Sequence, residues 1–191
     1  FDIPVYTKQG TWREIQDKLV VPKNQLIELT KGSLTLGNLI VEPFAVSHDA
    51  ADPIGINVFS GNDKATVVTD TGIISDDILH RLDDSTLLVL EANYDPHMLR
   101  FGPYQPFLKQ RVASDEGHLS NEMAAQALLM MKRPDFMQVI LAHRSENNNN
   151  AVLVTQTIGK MLVDGGVRIG PEMKLQHGQP NEIVSMQSVK R

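Results

Sequence analysis

Six histidines stand in a chain of 191 residues, and their positions are not equivalent. His48 ends the run Phe44-Ala45-Val46-Ser47, and Asp70 ends Thr66-Val67-Val68-Thr69. Glu91 ends Leu87-Leu88-Val89-Leu90, and His143 follows Val139-Ile140-Leu141-Ala142. Each of these ionisable residues closes a run of β character and is followed by loop-like sequence. Layered α/β proteins build sites this way, with a rigid strand delivering a side chain into a loop-lined crevice. Two imidazoles and a carboxylate suit zinc or another divalent metal, because imidazole binds zinc, manganese and iron and a carboxylate can bridge two ions. No HxH or HExxH pair fixes that assignment, so hydrogen-bonded structural imidazoles are an equal reading of the spacing.

His118 lies in Gly117-His118-Leu119-Ser120-Asn121, just before a helical stretch. There an imidazole can face an anion at the helix start, give a proton to a leaving oxygen, or simply order the cap. His80 sits beside Arg81 in a charged helix and reads as surface. His97 follows Pro96 in a loop, and His177 lies in a polar tail and reads as solvated. Arg100, Lys109 and Arg111 bound a stretch without acids, with Phe101, Tyr104 and Phe107 interleaved. Basic and aromatic residues together suit a phosphate backbone and stacked bases. The local pattern favours a plainer reading, an amphipathic face packed on the sheet. The Met- and Leu-rich helix from Met123 to Met131 reads as core.

Elements must hold these side chains in place. Ile3 to Tyr6 reads as a strand, and Thr11 to Leu19 as a helix with Trp12, Ile15 and Leu19 on one face. Leu34 to Ser47 reads as two strand segments broken by Gly37 and Pro43. Ile54 to Ser60 and Lys64 to Asp70 flank a Gly61-Asn62-Asp63 hairpin. Ser75 to Leu82 is a short helix with Ser75 as N-cap. Thr86 to Leu90 and Met137 to Leu141 are apolar enough for strands buried on both faces. Ser120 to Lys132 is a helix capped by Ser120 or Asn121, and Ala151 to Val163 is a helix closed by Gly165-Gly166. Asn147 to Asn150 is a loop, and Ile183 to Met186 reads as a last strand. Hairpins first, then alternating strand and helix, predict a layered α/β fold.

Composition sets the outer limits. A hydrophobic content of 41% fills a core and excludes disorder as the main state. Lys plus Arg is 18 and Asp plus Glu 23, a net −5, which excludes a globally basic nucleic-acid binder but not a local basic patch. There is no cysteine, so disulfide scaffolds, thiolate zinc sites and cysteine nucleophiles are excluded. No apolar run approaches the roughly 20 residues of a membrane span, and the opening residues lack a signal-peptide pattern. A cytoplasmic protein without a membrane partner is expected, with oligomeric state open.

Five motifs occur in order: Val-Ser-His48-Asp49-Ala-Ala-Asp52-Pro, Thr69-Asp70-Thr71-Gly72, Leu90-Glu91-Ala-Asn93-Tyr-Asp95, Gly117-His118-Leu-Ser-Asn121 and Leu-Ala-His143-Arg-Ser-Glu-Asn147-Asn148. Together they resemble the WalJ/YycJ group of metallo-β-lactamase-fold hydrolases, a likeness that runs across nearly the whole chain. The resemblance implies an αβ/βα sandwich, two β-sheets with helices outside, formed as a single domain over residues 1–191. It implies a site at one edge with two divalent metal ions, zinc or manganese. His48 would be a ligand of the first metal, Asp70 the bridge and His143 a ligand of the second. Glu91 and His118 are similar to a pair in the related tRNA-processing nucleases, where the His aids proton transfer and the Glu orients it. The implied substrate is a phosphodiester, DNA degraded 5′ to 3′. Lys109, Arg111 and Arg144 would hold neighbouring phosphates.

Other branches hydrolyse lactams, thioesters or cyclic phosphodiesters, and a non-catalytic fragment that binds a partner is a third reading. The family's HxHxDH motif, which supplies two ligands to each metal, should precede Phe1, and nothing in this chain matches it. The chain is therefore expected to be N-terminally incomplete, lacking early strands and exposing apolar surface. Tyr94 stands where many relatives carry His, and Arg144 where Leu is common.

Overall fold

A computed structural model of the chain describes residues 3–29 and 32–185. Its main body is a seven-stranded sheet whose spatial order follows the sequence, β3 to β9. β3 (Leu34–Leu36), β4 (Leu39–Ala45), β5 (Ile54–Ser60) and β6 (Asp63–Val68) form an antiparallel meander. β7 (Leu87–Glu91), β8 (Met137–Ala142) and β9 (Met173–His177) then join β6 in parallel. Parallel neighbours need crossovers, and these carry α2 (Asp76–Leu82), α5 (Asn121–Met130) and α6 (Ala151–Asp164). The described part of the second sheet is one parallel pair, β1 (Val5–Thr7) and β2 (Leu26–Glu28), with α1 (Gln9–Ile15) between them. Among the described residues no helix is long and apolar enough to cross a membrane.

The core explains the crossover helices. Val68, Leu88, Leu90, Val139 and Leu141 share one cluster with Ile78 and Leu82 of α2, Ala124 and Leu128 of α5, and Val154, Ile158 and Leu162 of α6. Side chains alternate across a strand, so Leu87 and Val89 face the other way and are only partly buried. Two-sided burial, expected for this strand, is thus met on one face only. Caps set the helix starts. Ser75 accepts from the Ile78 N–H, Ser120 from Met123 and Asn150 from Leu153.

Four expectations need correction. Pro43 does not break a strand: β3 ends opposite Val41, so Pro43 sits where β4 has a free side and a missing N–H is tolerated. The first helix stops at Ile15 rather than Leu19. Residues 183–185 are irregular and Met186 lies outside the described residues; the last strand is β9 instead, read as tail because Lys174, Gln176 and His177 made it polar. The basic-aromatic stretch forms two short helices, α3 (Pro96–Phe101) and α4 (Pro106–Val112), each opened by proline in its first turn. They rest on a small cluster of Tyr94, Leu99 and Val112, with Tyr104 and Leu108 against it. Phe101 and Phe107 stay 67% and 71% exposed, so this face is not packed as expected.

Candidate metal centre

β4 and β6 are both antiparallel to β5 and therefore run the same way, and β7, β8 and β9 run with them. One sheet edge consequently collects the C-terminal ends of five strands. His48, Asp70, Glu91 and His143 emerge there in loops or at the last strand residue. Asp70 and His143 leave their strands with φ of 54° and 51°, the left-handed region. That conformation costs a non-glycine residue of order 1 kcal/mol, a strain found where structure serves a site. His118 reaches the same edge from the loop after α4. A Cβ at Gly117 would lie 2.2 Å from Arg111 O, and one at Gly72 would lie 2.3 Å from Ser114 O. Only glycine at both positions lets this loop close over the strand ends.

Three imidazoles stand in a row, His48–His118–His143, with ring centres 5.1 and 5.2 Å apart. His48 Nδ1 is 3.0 Å from Gly117 O. A carbonyl only accepts, so Nδ1 carries the hydrogen and neutral His48 presents its Nε2 lone pair. That Nε2 is 3.6 Å from Asp70 Oδ1 and 3.5 Å from Asp49 Oδ1. From the other side, His143 Nε2 is 3.6 Å from the same Asp70 oxygen, while its Nδ1 faces Glu91 Oε1 at 3.3 Å. Donors about 2.0–2.1 Å from one zinc ion stand roughly 3.3 Å apart in a tetrahedral set. The donor types, the spacing of each imidazole from Asp70 and the outer partner on each ring therefore fit divalent cations taken pair by pair. Among the described residues, the donor atoms that all lie within 4.8 Å of one another are those of His48, Asp70 and His118 and of Glu91, His118 and His143.

Glu91 is the buried hinge of this arrangement, with a side chain 0% exposed. Its Oε1 accepts from His118 Nδ1 at 2.7 Å and from His143 Nδ1, and its Oε2 accepts from the Thr71 N–H at 3.1 Å. Burial opposes its ionisation, but the hydrogen bonds and charges of His118 and His143 outweigh burial and hold the carboxyl below its ordinary value. The Glu91 hydrogen bond, against burial, raises the His143 imidazole above its ordinary value. With all these bonds engaged inside the core, Glu91 acts as the carboxylate that orients two imidazoles.

The structure thus brings together His48, Asp70, Glu91, His118 and His143. Arg111 and Arg144 line the same cleft, of about 360 Å³, with His118 and His143. The Arg111 guanidinium forks Asp49, through Nε to Oδ2 and through Nη2 to Oδ1 at 2.8 Å. Lys109 is outside that lining and donates to Arg100 O at 2.8 Å. His80 is exposed beside Asp83, and His97 stacks on Phe101. His177 is not a solvated tail residue: it ends β9, and its Nε2 contacts Thr155 Oγ1 at 2.9 Å.

Sequence reasoning missed the amides. Asn121 and Asn149 are buried and exchange reciprocal side-chain hydrogen bonds of 3.2 and 2.8 Å, and Asn149 also donates to Ala92 O. Asn93 donates to His143 O at 2.8 Å, pinning the strained turn. The polar run Asn147–Asn150 carried that signal only as a loop.

A family model described as the Beta-lactamase superfamily domain matches residues 2–143. The chain is 32% identical over 191 residues to the exodeoxyribonuclease YycJ of Bacillus anthracis, covering 99% of this chain and 72% of that protein. It is 30% identical over 186 residues to the exodeoxyribonuclease WalJ of Streptococcus pneumoniae serotype 2, covering 95% of this chain and 69% of that protein. Among solved structures, the metallo-β-lactamase fold protein YhfI from Bacillus subtilis superposes with a TM-score of 0.63 at 14% identity, over 92% of this chain and 62% of that one. The class is a metal-dependent hydrolase of the metallo-β-lactamase fold. The chain belongs to the beta-lactamase superfamily, in its YycJ/WalJ group.

Proposed function

We propose that the protein is a DNA exonuclease that hydrolyses phosphodiesters from the 5′ end, working in the cytoplasm. The observation that carries this reading is the approach of His48 and His143 to one Asp70 oxygen, with His118 held by buried Glu91 beside them. The names of the YycJ and WalJ relatives supply the substrate class. His48 and His143 through Nε2 and Asp70 through Oδ1 would hold divalent cations, two in number, zinc or manganese. No stretch of these residues matches the HxHxDH-type motif that would supply further ligands to a two-ion site. When bound, the ions supply Lewis acidity toward the phosphoryl group and toward water.

The chain's own residues do the rest. Glu91 keeps His118 Nδ1–H directed inward and stabilises the ring when it is positively charged. Protonated His118 then releases its Nε2 proton to the leaving oxygen, a role worth about 10²–10⁴-fold in rate. Arg144 and the Arg111 Nη1, which is outside the fork to Asp49, hold neighbouring phosphates, while Lys109, turned to Arg100 O outside the cleft lining, does not.

The test measures the metal content and DNA hydrolysis of the protein. Asp70→Asn suits it, because asparagine tolerates the left-handed conformation at this position and the fold is kept. The expected result is loss of metal by elemental analysis and loss of release from 5′-labelled DNA. Unchanged metal content and turnover would end the proposal.

A further inference from the structure

Arg144 follows His143 directly, yet among the described residues its guanidinium has no hydrogen-bond or ion-pair partner. The residue is partly buried, and its Nη1 is shut off from water without a hydrogen-bond partner among the described residues. No ion pair with a described carboxylate compensates its charge. Nη1 is closed to solvent, so the other N–H groups of the guanidinium, which no described acceptor binds, are the ones an anion in the adjoining cavities can reach. Burial, and then the charge of Arg144, push the His177 imidazole below its ordinary value, so the two side chains lie close enough to interact.

Arg144 also stands between two cavities. One is the cleft at His118 and His143. The other, of about 620 Å³, is walled by Asn149, Asn150, Ala151, Gly178 and Pro180. That volume lies within the range of small-ligand sites, roughly 300–1,000 Å³. The 14-residue helix α6 begins at its wall. Glu146 is the acid that borders both cavities, and it is exposed, so solvent screens its charge.

We infer that this second cavity holds a terminal phosphate of a nucleic-acid chain, with Arg144 as its charged partner, while the adjoining diester lies at His143 and Asp70. The inference rests on the nuclease reading and deepens it. A phosphomonoester carries close to two negative charges at neutral pH, and an internal diester carries one. An unpaired guanidinium fork therefore favours the chain end over an internal position. End recognition of this kind gives a hydrolase its exonuclease character.

The experiment compares three probes on chelator-treated protein: a thymidine dinucleotide with a 5′-phosphate, one with a 3′-phosphate, and one with neither. At least one phosphorylated probe is expected to bind tenfold or more tightly than the bare dinucleotide. Arg144→Gln should abolish the difference and Arg144→Lys should keep part of it. The His177 ring signals should titrate at higher pH once that probe is bound. Equal affinity for all three probes, or a preference that survives both variants, overturns the inference. If Arg144→Gln does not fold, the wild-type comparison and the His177 titration decide. DNA turnover by the metal-loaded protein separates the two readings. Preference without turnover removes the nuclease reading and leaves the phosphate site, and turnover without preference does the reverse.

Discussion

His48 and His143 approach the same Asp70 oxygen at the same 3.6 Å, yet they are anchored by different physics. His48 is tied to a backbone carbonyl, Gly117 O, in a loop that closes only because residues 72 and 117 have no side chains. His143 is tied to one buried carboxylate, which it shares with His118. A backbone anchor cannot be titrated, and it is lost only when the loop that carries it is forced open, as a side chain at residue 117 would do. A shared carboxylate can be lost by titration or by substitution, and with it two imidazoles and the Thr71 N–H lose their partner. The first side of the centre is therefore built for permanence and the second for charge control.

Glu91→Ala is the strongest way to break this comparison. It leaves two imidazoles beside an emptied buried site, and removing one member of a buried charged pair typically costs about 3–5 kcal/mol. Urea denaturation of the metal-free protein should show a loss of that size. Retained stability together with retained metal affinity would mean that Glu91 is a bystander and that both sides are held by backbone alone.

The pH dependence of the metal-free protein sharpens the same contrast. The His143 value is raised in the folded state, so its contribution to stability is complete below the ordinary histidine value and is lost as pH rises through the raised one. The Glu91 value is depressed, so its contribution is present above the ordinary carboxyl value and is lost as pH falls through the depressed one. The Glu91 shift reflects His118 first and then His143, and the Glu91–His143 part they share is at full strength between those limits. The melting temperature under chelation should therefore decline from mildly acid pH toward alkaline pH, and Glu91→Gln should flatten the decline. A divalent cation should reverse it, because ligation needs the rings unprotonated. A melting curve unchanged by pH in both forms would leave the second side without charge control.

The same division decides what could be read from sequence. Residues that close apolar strands were legible, because period and turn chemistry locate strand ends, and the parallel topology then gathers those ends. His177 escaped for the converse reason. β9 pairs through its backbone with β8 and places polar Lys174, Gln176 and His177 at half-buried positions, so its apolar signal was too weak to mark a strand. α3 and α4 were illegible as helices because they are held by the Tyr94–Leu99–Val112 cluster rather than by propensity, whereas α2, equally short, announces itself by its Ser75 cap and acidic first turn. The tautomer of His48 depends on a carbonyl 69 positions away in the chain. The Asn121–Asn149 lock depends on a contact of the same kind, 28 positions apart. No local pattern encodes contacts of that kind.

The smallest effect concerns the ion pair at the His48 side. Arg111 and Asp49 meet in a fork, but their side chains are 52% and 30% exposed. The Arg111 hydrogen bond holds the Asp49 carboxyl below its ordinary value. Exposed pairs of this kind contribute about 0.2–1 kcal/mol and are screened by salt. Arg111→Gln should therefore shift the urea midpoint only slightly, and less at high ionic strength. Asp49 Oδ1 already lies 3.5 Å from His48 Nε2, so releasing it from the fork gives the His48 side an additional oxygen donor. Metal retention at that side should hold or tighten, the opposite of what Glu91→Ala does at the other. A loss of stability as large as that of Glu91→Ala would make the Asp49 fork an anchor of equal rank. The His48 side would then depend on side-chain charge as the His143 side does.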